Sequence, residues 1–165
     1  MMVIRPYPKI KPEIELGICE ESFQRIRLDQ FKTLAYVKNI MEKRLNARFD
    51  DVLLYSHDKV VLETPVANAF FVRGNSIVTP KSPMILPGVV RRLLLNNKGF
   101  DIKIAEEPIL VEDLEDFDEI FLTNSLRGII LVKKTTPYPH LVSGPVASMI
   151  KKKYNEILGI TDPVF

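Results

Sequence analysis

Two residues in the first half of the chain have side chains that could take part in covalent chemistry. Lys32 precedes a helix-like segment, and Glu63 ends an apolar run about thirty residues later. A lysine amine can form a Schiff base with a carbonyl compound when its pKa is low enough to leave it neutral. A carboxylate can hold a proton on an aromatic ring nitrogen, with an attraction of about 4 kcal/mol at roughly 4 Å and an effective dielectric of about 20. Taken alone, Lys32 is most simply a solvated lysine, and Glu63 a surface carboxylate.

A loop followed by a helix-like segment could hold an anion. Gly88, Val89 and Val90 stand at this junction, where backbone N–H groups and the helix dipole favour negative charge. Ser125, in the run TNSL (123–126), could add a hydroxyl. Gly88 is equally typical of a plain turn, and Ser125 of a strand end. The chain has no HxxxH, no CxxC and no acidic pair at ligand spacing, so we expect no metal site.

The hydrophobic pattern predicts the elements that would position these residues. A stripe at three- and four-residue spacing predicts a helix over 33–46 with one buried face, formed by Leu34, Val37, Ile40, Met41 and Leu45. Further helices are expected at 89–97, ended by Gly99, and at 145–158, where one face holds Val146, Met149, Ile150, Tyr154, Ile157 and Leu158. An acidic short helix or turn is expected at 111–117.

Short runs rich in β-branched and aromatic residues predict the strands. They lie at 14–19, 51–56, 60–63, 68–73, 76–79, 100–107, 118–124 and 128–134. Gly74-Asn75 between two of these runs is a hairpin signal. The order of elements predicts a mixed α/β domain in which loops carry the chemistry.

Size and composition exclude several classes of protein. With 165 residues, 46% hydrophobic and 27% charged, the chain is expected to be one globular domain. A net charge of +2 gives no basis for binding nucleic acid, and no apolar run is long enough for a membrane span. Cys19 is the single cysteine, which fits a reducing cytoplasm. Prolines at 6, 8 and 12 make residues 1–12 an extended linker.

Four motifs together resemble one enzyme family. They are Lys32-Thr33-Leu34-Ala35, the run ETPVANAFFV with Asn68 and Phe70, Leu86-Pro87-Gly88-Val89-Val90-Arg91, and TNSLRGI at 123–129. The combination resembles the C-terminal, cofactor-carrying half of the class IV pyridoxal-phosphate enzymes, over roughly residues 25–155. Ala35 stands where the family has asparagine, and Val90 where it has threonine.

The resemblance implies a role for each candidate. Lys32 would bind pyridoxal 5'-phosphate and act as acid and base, and Glu63 would face the ring nitrogen. Leu86 would press on the ring. The phosphate would be held by Gly88, Val89, Val90 and Ser125. Tyr36 falls near a tyrosine that contacts the phenolic oxygen in branched-chain aminotransferases, but one position out of register, so it also fits an ordinary helix residue.

The resemblance also implies a fold and a reaction. The fold would be D-amino-acid aminotransferase-like, with residues 25–165 as the cofactor-binding C-terminal domain. Residues 1–24 would be a linker and first strand after a missing N-terminal domain that supplies an arginine and a pocket wall. A cytoplasmic homodimer acting on a small molecule is expected.

Within the family, TNSLRGI and ETPVANAFF are more similar to aminodeoxychorismate lyases, which convert 4-amino-4-deoxychorismate to 4-aminobenzoate and pyruvate in folate synthesis. An aminotransferase of branched-chain or D-amino acids is the alternative. A truncated, non-catalytic domain that keeps the fold is a second alternative.

Overall fold

The computed structural model describes residues 10–18, 31–32, 37–96 and 102–160. Within these ranges the chain forms, in order, β1 (Glu13–Ile18), α1 (Val37–Leu45), β2 (Asp51–Leu53), β3 (Asn68–Arg73), β4 (Ser76–Pro80), α2 (Val89–Asn96), β5 (Lys103–Glu107), a 3-10 helix (Glu112–Asp116), β6 (Glu119–Asn124), β7 (Gly128–Thr136) and α3 (Pro145–Leu158). None of the helices in these ranges has the length and apolar character needed to cross a membrane.

The strands form one seven-stranded mixed sheet in the order β2-β1-β7-β6-β3-β4-β5. The neighbours β7, β6, β3 and β4 are antiparallel to one another, whereas β1 is parallel to both β2 and β7, and β5 is parallel to β4. The prediction of a mixed α/β fold is confirmed. The strand nearest the N-terminus, β1, lies inside this sheet and not at its edge.

The centre of the sheet is buried on both faces, which explains the almost continuous apolar sequence of β3. Phe70 stacks on Phe121 of β6 at a centroid distance of 5.1 Å, on the face that α2 and α3 cover. Phe71 points to the opposite face and packs against Phe117. Successive side chains of β3 therefore belong to the two main hydrophobic clusters, one on each face of the sheet.

Most predicted strands are present, with one exception. Residues 60–63 form no strand of the sheet. They make only isolated antiparallel β-bridges, between Tyr55 and Val61 and between Val60 and Leu110. The hairpin at Gly74-Asn75 is confirmed, and Gly74 adopts φ 55° at the turn. Cys19 and Gly99 lie outside the described residues.

The predicted buried stripe of the first helix is wrong for its described members, and Leu34 lies outside the described residues. Val37, Ile40, Met41 and Leu45 are between 44% and 70% exposed, and Glu42 is the buried residue of α1. The helix instead turns its polar Asn39 toward the loop at 64–67, to which it is hydrogen bonded. A similar correction applies to α3, because Met149, Ile157 and Leu158 are exposed while Ala147, Ile150 and Tyr154 face the sheet.

Candidate functional site

A cavity of about 270 Å³ opens where the end of β6 and the beginnings of β3 and α2 meet. All the predicted site residues except Tyr36 line it, and Tyr36 lies outside the described part of the chain. The lining residues are Phe31, Lys32, Asn39, Glu63, Thr64, Pro65, Val66, Ala67, Asn68, Leu86, Pro87, Gly88, Val89, Val90, Thr123, Asn124 and Ser125. The fold therefore brings together Lys32 and Ser125, which are 93 positions apart in the sequence.

The carboxylate of Glu63 is held almost out of solvent. Only 5% of the residue is exposed, and its Oε2 accepts a hydrogen bond of 2.8 Å from the Asn68 amide. The backbone N–H of Leu86 approaches both carboxylate oxygens at 3.2 Å. The backbone carbonyl of Glu63 accepts a hydrogen bond from the N–H of Leu54 at 2.9 Å, and the N–H of the preceding Leu62 donates to the Leu54 carbonyl at 2.8 Å. Burial with fixed donors gives the carboxylate one defined orientation at the cavity wall.

Asn68 acts as a clamp between three parts of the site. Its side-chain amide donates to Glu63 and also to the carbonyl oxygen of Leu86, at 2.9 Å. Its Oδ1 lies so close to Gly88 that a Cβ there would be 2.2 Å away, so this approach requires glycine. Sequence reasoning noted Asn68 only as part of a motif. The sequence feature that could have identified Asn68 is an amide side chain at the first position of a buried apolar strand, since a buried amide needs hydrogen-bond partners.

The N-terminus of α2 contributes backbone groups to the cavity. Val89 and Val90 occupy its first turn, where N–H groups have no acceptor within the helix. The side chain of Val90 is buried in the core and that of Val89 is exposed. The sequence predicted that the N–H groups of Gly88, Val89 and Val90 would all bind an anion. The N–H of Gly88 instead donates to the carbonyl of Leu86 at 2.8 Å.

Arg91 belongs to the motif but not to the cavity lining. Its buried guanidinium donates to the Pro80 carbonyl at 2.9 Å and to the Thr79 hydroxyl at 3.3 Å, and it pairs with Glu106. These contacts fasten α2 to β4 and β5. Arg91 therefore positions the N-terminus of α2 from the side facing away from the site.

The turn at 64–67 forms another wall of the cavity. The Thr64 hydroxyl accepts two N–H groups of the turn, at 2.9 and 3.3 Å. Asn39 of α1 and Asn124 of β6 donate to carbonyl oxygens of the same turn, at 2.7 and 3.3 Å. Burial raises the pKa of the Asp51 carboxyl, although the charge of Lys43 and a hydrogen bond with Thr64 act to lower it. The turn is thus held from several sides.

Lys32 and Ser125 lie on the open side of the cavity. Both are exposed, whereas Glu63 is buried, so the site runs from a solvent-facing amine to an enclosed carboxylate. Ser125 follows β6 directly, in the turn that leads to β7. Sequence reasoning missed Thr123, a buried residue two positions earlier that also lines the cavity. An amine, a carboxylate and a helix N-terminus around one cavity can bind a molecule that carries an electrophilic carbon, a protonated nitrogen and an anionic group.

Comparison with known families gives one extended match. The family model for amino-transferase class IV matches residues 1–135. The branched-chain-amino-acid aminotransferase 1 of Arabidopsis thaliana mitochondria is 34% identical over 106 residues, 61% of this chain and 27% of that protein. The aminodeoxychorismate lyase of Vibrio harveyi is 25% identical over 149 residues, 84% of this chain and 53% of that protein. The chain spans about half or less of the length of these relatives.

Solved structures agree with the sequence match. A putative 4-amino-4-deoxychorismate lyase from Legionella pneumophila superposes with a TM-score of 0.79 and 29% identity, covering 91% of this chain and 58% of that one. A branched-chain amino acid aminotransferase from Thermobaculum terrenum, solved in its PLP-form, has a TM-score of 0.79 at 20% identity, covering 90% and 52%. The second likeness concerns the fold.

Proposed function

Because the chain belongs to the amino-transferase class IV family, we propose that its cavity binds pyridoxal 5'-phosphate and serves a pyridoxal-phosphate-dependent enzyme. The observation that carries this proposal is that Lys32, Glu63 and the N-terminus of α2 line one cavity. The three groups differ in chemistry in the way the cofactor requires: an amine for its aldehyde, a carboxylate for its ring nitrogen, and N–H donors for its phosphate. The relative from Thermobaculum terrenum was solved in a PLP-form.

In this proposal Lys32 is the catalytic residue. Its Nζ would hold the cofactor through the aldehyde carbon, with loss of water, and its free amine would take and return protons at the substrate. Glu63 would keep a proton on the ring nitrogen, and Asn68 keeps the carboxylate in place through the 2.8 Å hydrogen bond. When bound, the cofactor supplies an electron sink. Leu86 lies against the same carboxylate and would limit the position of the ring.

The phosphate site is proposed at the beginning of α2. The N–H groups of Val89 and Val90 lie in the first turn, where they have no acceptor within the helix, and Ser125 would add a hydroxyl from the turn after β6. The Val90 side chain is buried in the core and carries no hydroxyl, so the backbone provides the donors. Arg91 stays outside this site because its guanidinium is bound to β4 and β5.

The proposed reaction is the conversion of 4-amino-4-deoxychorismate to 4-aminobenzoate and pyruvate, a step of folate synthesis. The proton at C4 is removed, the bond to the pyruvate-forming side chain breaks, and the ring becomes aromatic. Aromatisation is a strong driving force, so the enzyme mainly needs to orient the substrate and move one proton. Support comes from the Legionella pneumophila and Vibrio harveyi relatives and from the TNSL segment, of which Thr123, Asn124 and Ser125 line the cavity.

Amino-group transfer is the second candidate function. Branched-chain aminotransferases are among the curated relatives, for example a probable one from Rickettsia bellii, 28% identical over 140 residues. Incubation with aminodeoxychorismate, followed by detection of 4-aminobenzoate, tests the lyase reaction. Exchange between branched-chain or D-amino acids and 2-oxoglutarate tests transfer. Turnover in the exchange assay alone would overturn the lyase assignment.

Cofactor binding can be tested on the purified chain before any activity is known. Added pyridoxal phosphate should produce a visible absorbance band, and borohydride should fix the label on Lys32, as read by peptide mass spectrometry. Lys32→Ala should lose both the band and the label. Lys152→Ala, a change of an exposed α3 lysine, should lose neither. A wild type without the band, or a Lys32→Ala variant with an unchanged band, would favour a non-catalytic domain. A homodimer stays a prediction that sedimentation equilibrium tests.

A further inference from the structure

The hydroxyl of Thr123 has no hydrogen-bond partner among the described residues, although the residue is only 1% exposed. Interior hydroxyls are nearly always hydrogen bonded, because leaving one without a partner loses its interaction with water and gains nothing. Thr123 also lines the cavity. An orphaned hydroxyl at a cavity wall indicates a donor whose partner is a ligand.

The register of the sheet fixes the direction of this side chain. Thr123 lies directly opposite Asn68 in the antiparallel β3–β6 pair. Residues opposite each other in such a pair point to the same face. Two positions further along the same pair, Phe70 and Phe121 stack on the face that α2 covers. Thr123 and Asn68 therefore stand side by side toward the N-terminus of α2.

The polar groups beside Thr123 are engaged elsewhere. Both amide hydrogens of Asn68 are donated, one to Glu63 and one to the Leu86 carbonyl. The Oδ1 of Asn124 accepts two backbone N–H groups of the β6–β7 turn, at 2.8 and 3.1 Å. The residues that the structure describes thus supply no partner for the Thr123 hydroxyl, and the cavity that Thr123 lines is the remaining direction.

We propose that the Thr123 hydroxyl donates a hydrogen bond to an oxygen atom of the bound pyridoxal phosphate, which makes it a cofactor-binding residue in addition to those inferred from the motifs. This inference rests on the proposed function. It gives Thr123 a role distinct from that of Ser125, because Ser125 is exposed whereas the Thr123 hydroxyl is enclosed.

Two substitutions test the proposal. Thr123→Val replaces the hydroxyl with a methyl group of similar size, and Thr123→Ser keeps the hydroxyl. The dissociation constant for pyridoxal phosphate, from absorbance titration, should rise about tenfold in Thr123→Val and stay within about threefold of the wild type in Thr123→Ser. Cofactor-free Thr123→Val should melt about 2–4 °C higher than the wild type, because an unsatisfied polar group has been removed.

The sign of the change in melting temperature distinguishes a hydroxyl that contacts a ligand from one that stabilises the fold. A hydroxyl that served the fold would lower the melting temperature of the cofactor-free Thr123→Val protein, and that result would overturn the inference. Unchanged cofactor affinity in Thr123→Val, with normal binding by the wild type, would also overturn it while leaving the proposed function intact. A wild type that binds no pyridoxal phosphate would overturn both. Titration with pyridoxal, which lacks the phosphate, assigns the contact: equal affinity in both proteins locates it on the phosphate, and a tenfold loss locates it on the ring.

Discussion

Replacing Gly88 with alanine should disturb the site through Asn68 and not through the backbone. A methyl group on Gly88 would lie 2.2 Å from Asn68 Oδ1, well inside van der Waals contact. Gly88 is not among the glycines with positive φ, so the backbone itself tolerates alanine. The Asn68 amide must therefore move, and its two hydrogen bonds, to Glu63 and to the Leu86 carbonyl, must lengthen or break.

The expected cost follows from those two bonds. A hydrogen bond to a charged group contributes about 1.5–3 kcal/mol and one between neutral groups about 0.5–1.5 kcal/mol. Gly88→Ala should therefore lower the free energy of unfolding by about 2–4 kcal/mol, partly offset by about 0.4–1 kcal/mol from the lower entropy of the unfolded chain. In an Asn68→Ala background the obstacle is absent, and the same change should be neutral or stabilising by up to about 1 kcal/mol.

A double-mutant cycle measures this coupling directly. Urea unfolding of the wild type, both single variants and the double variant, followed by far-UV circular dichroism, gives the four free energies. We expect a coupling of about 2–4 kcal/mol, with the double variant more stable than the two single changes add up to. Equal costs of Gly88→Ala in both backgrounds would refute the reasoning, because the contact with Asn68 would then carry none of the effect.

Four further substitutions test three predictions about separate parts of the fold. Glu119→Gln should lower the free energy of unfolding by about 1–2 kcal/mol, since this carboxylate accepts three N–H groups at the start of α3, at 2.8–3.0 Å. Asp51→Asn should stabilise the protein at neutral pH, and the gain should vanish as the pH falls toward 3.8, because burial raises the pKa of this carboxyl and makes its ionised form costly. Gly128→Ala should cost about 2–4 kcal/mol and Gly74→Ala about 1 kcal/mol. Both glycines have positive φ, but a Cβ added at Gly128 would lie 2.5 Å from the Tyr154 ring, whereas one added at Gly74 would meet nothing within 4 Å.

Urea denaturation at several pH values provides all three measurements. Unchanged stability in Glu119→Gln would mean that the carboxylate does not cap α3. A gain in Asp51→Asn that is independent of pH would contradict the proposed cost of ionisation. Equal losses of unfolding free energy in the two glycine variants would mean that the Tyr154 ring moves aside at no energetic cost. The positive φ would then account for the whole loss in both variants.

Local sequence patterns were sufficient for the features that depend on neighbouring residues. The hairpin at Gly74 follows from two short apolar runs and a turn dipeptide, which determine the pairing of β3 with β4 without help from the rest of the chain. The family resemblance was equally informative because it rests on four motifs in fixed order. Residues chosen from all four, including Lys32, Glu63 and Ser125, line one cavity.

The amphipathic pattern of α1 shows where such reasoning ends. Periodicity determines which residues share one side of a helix, but the side that meets the protein is decided by the surroundings. In α1 the polar Asn39 contacts the turn at 64–67, and the apolar Val37 and Leu45 are exposed. Residues 60–63 were assigned to a strand for a similar reason, since their apolar run reflects burial and not pairing in the sheet.

Only the tertiary structure decided which polar groups are satisfied. Glu119 caps a helix that begins about 25 residues later, and Asn68 joins a carboxylate, a loop and a glycine that lie on separate segments. Thr123 has the opposite property, a buried hydroxyl that no other described segment reaches. A hydrogen bond needs two atoms about 3 Å apart, and for residues distant along the chain that separation exists only once the sheet has formed. The sequence by itself therefore determined the family and identified several of the residues that line the cavity, whereas the folded chain determined the other lining residues and how each of them is held.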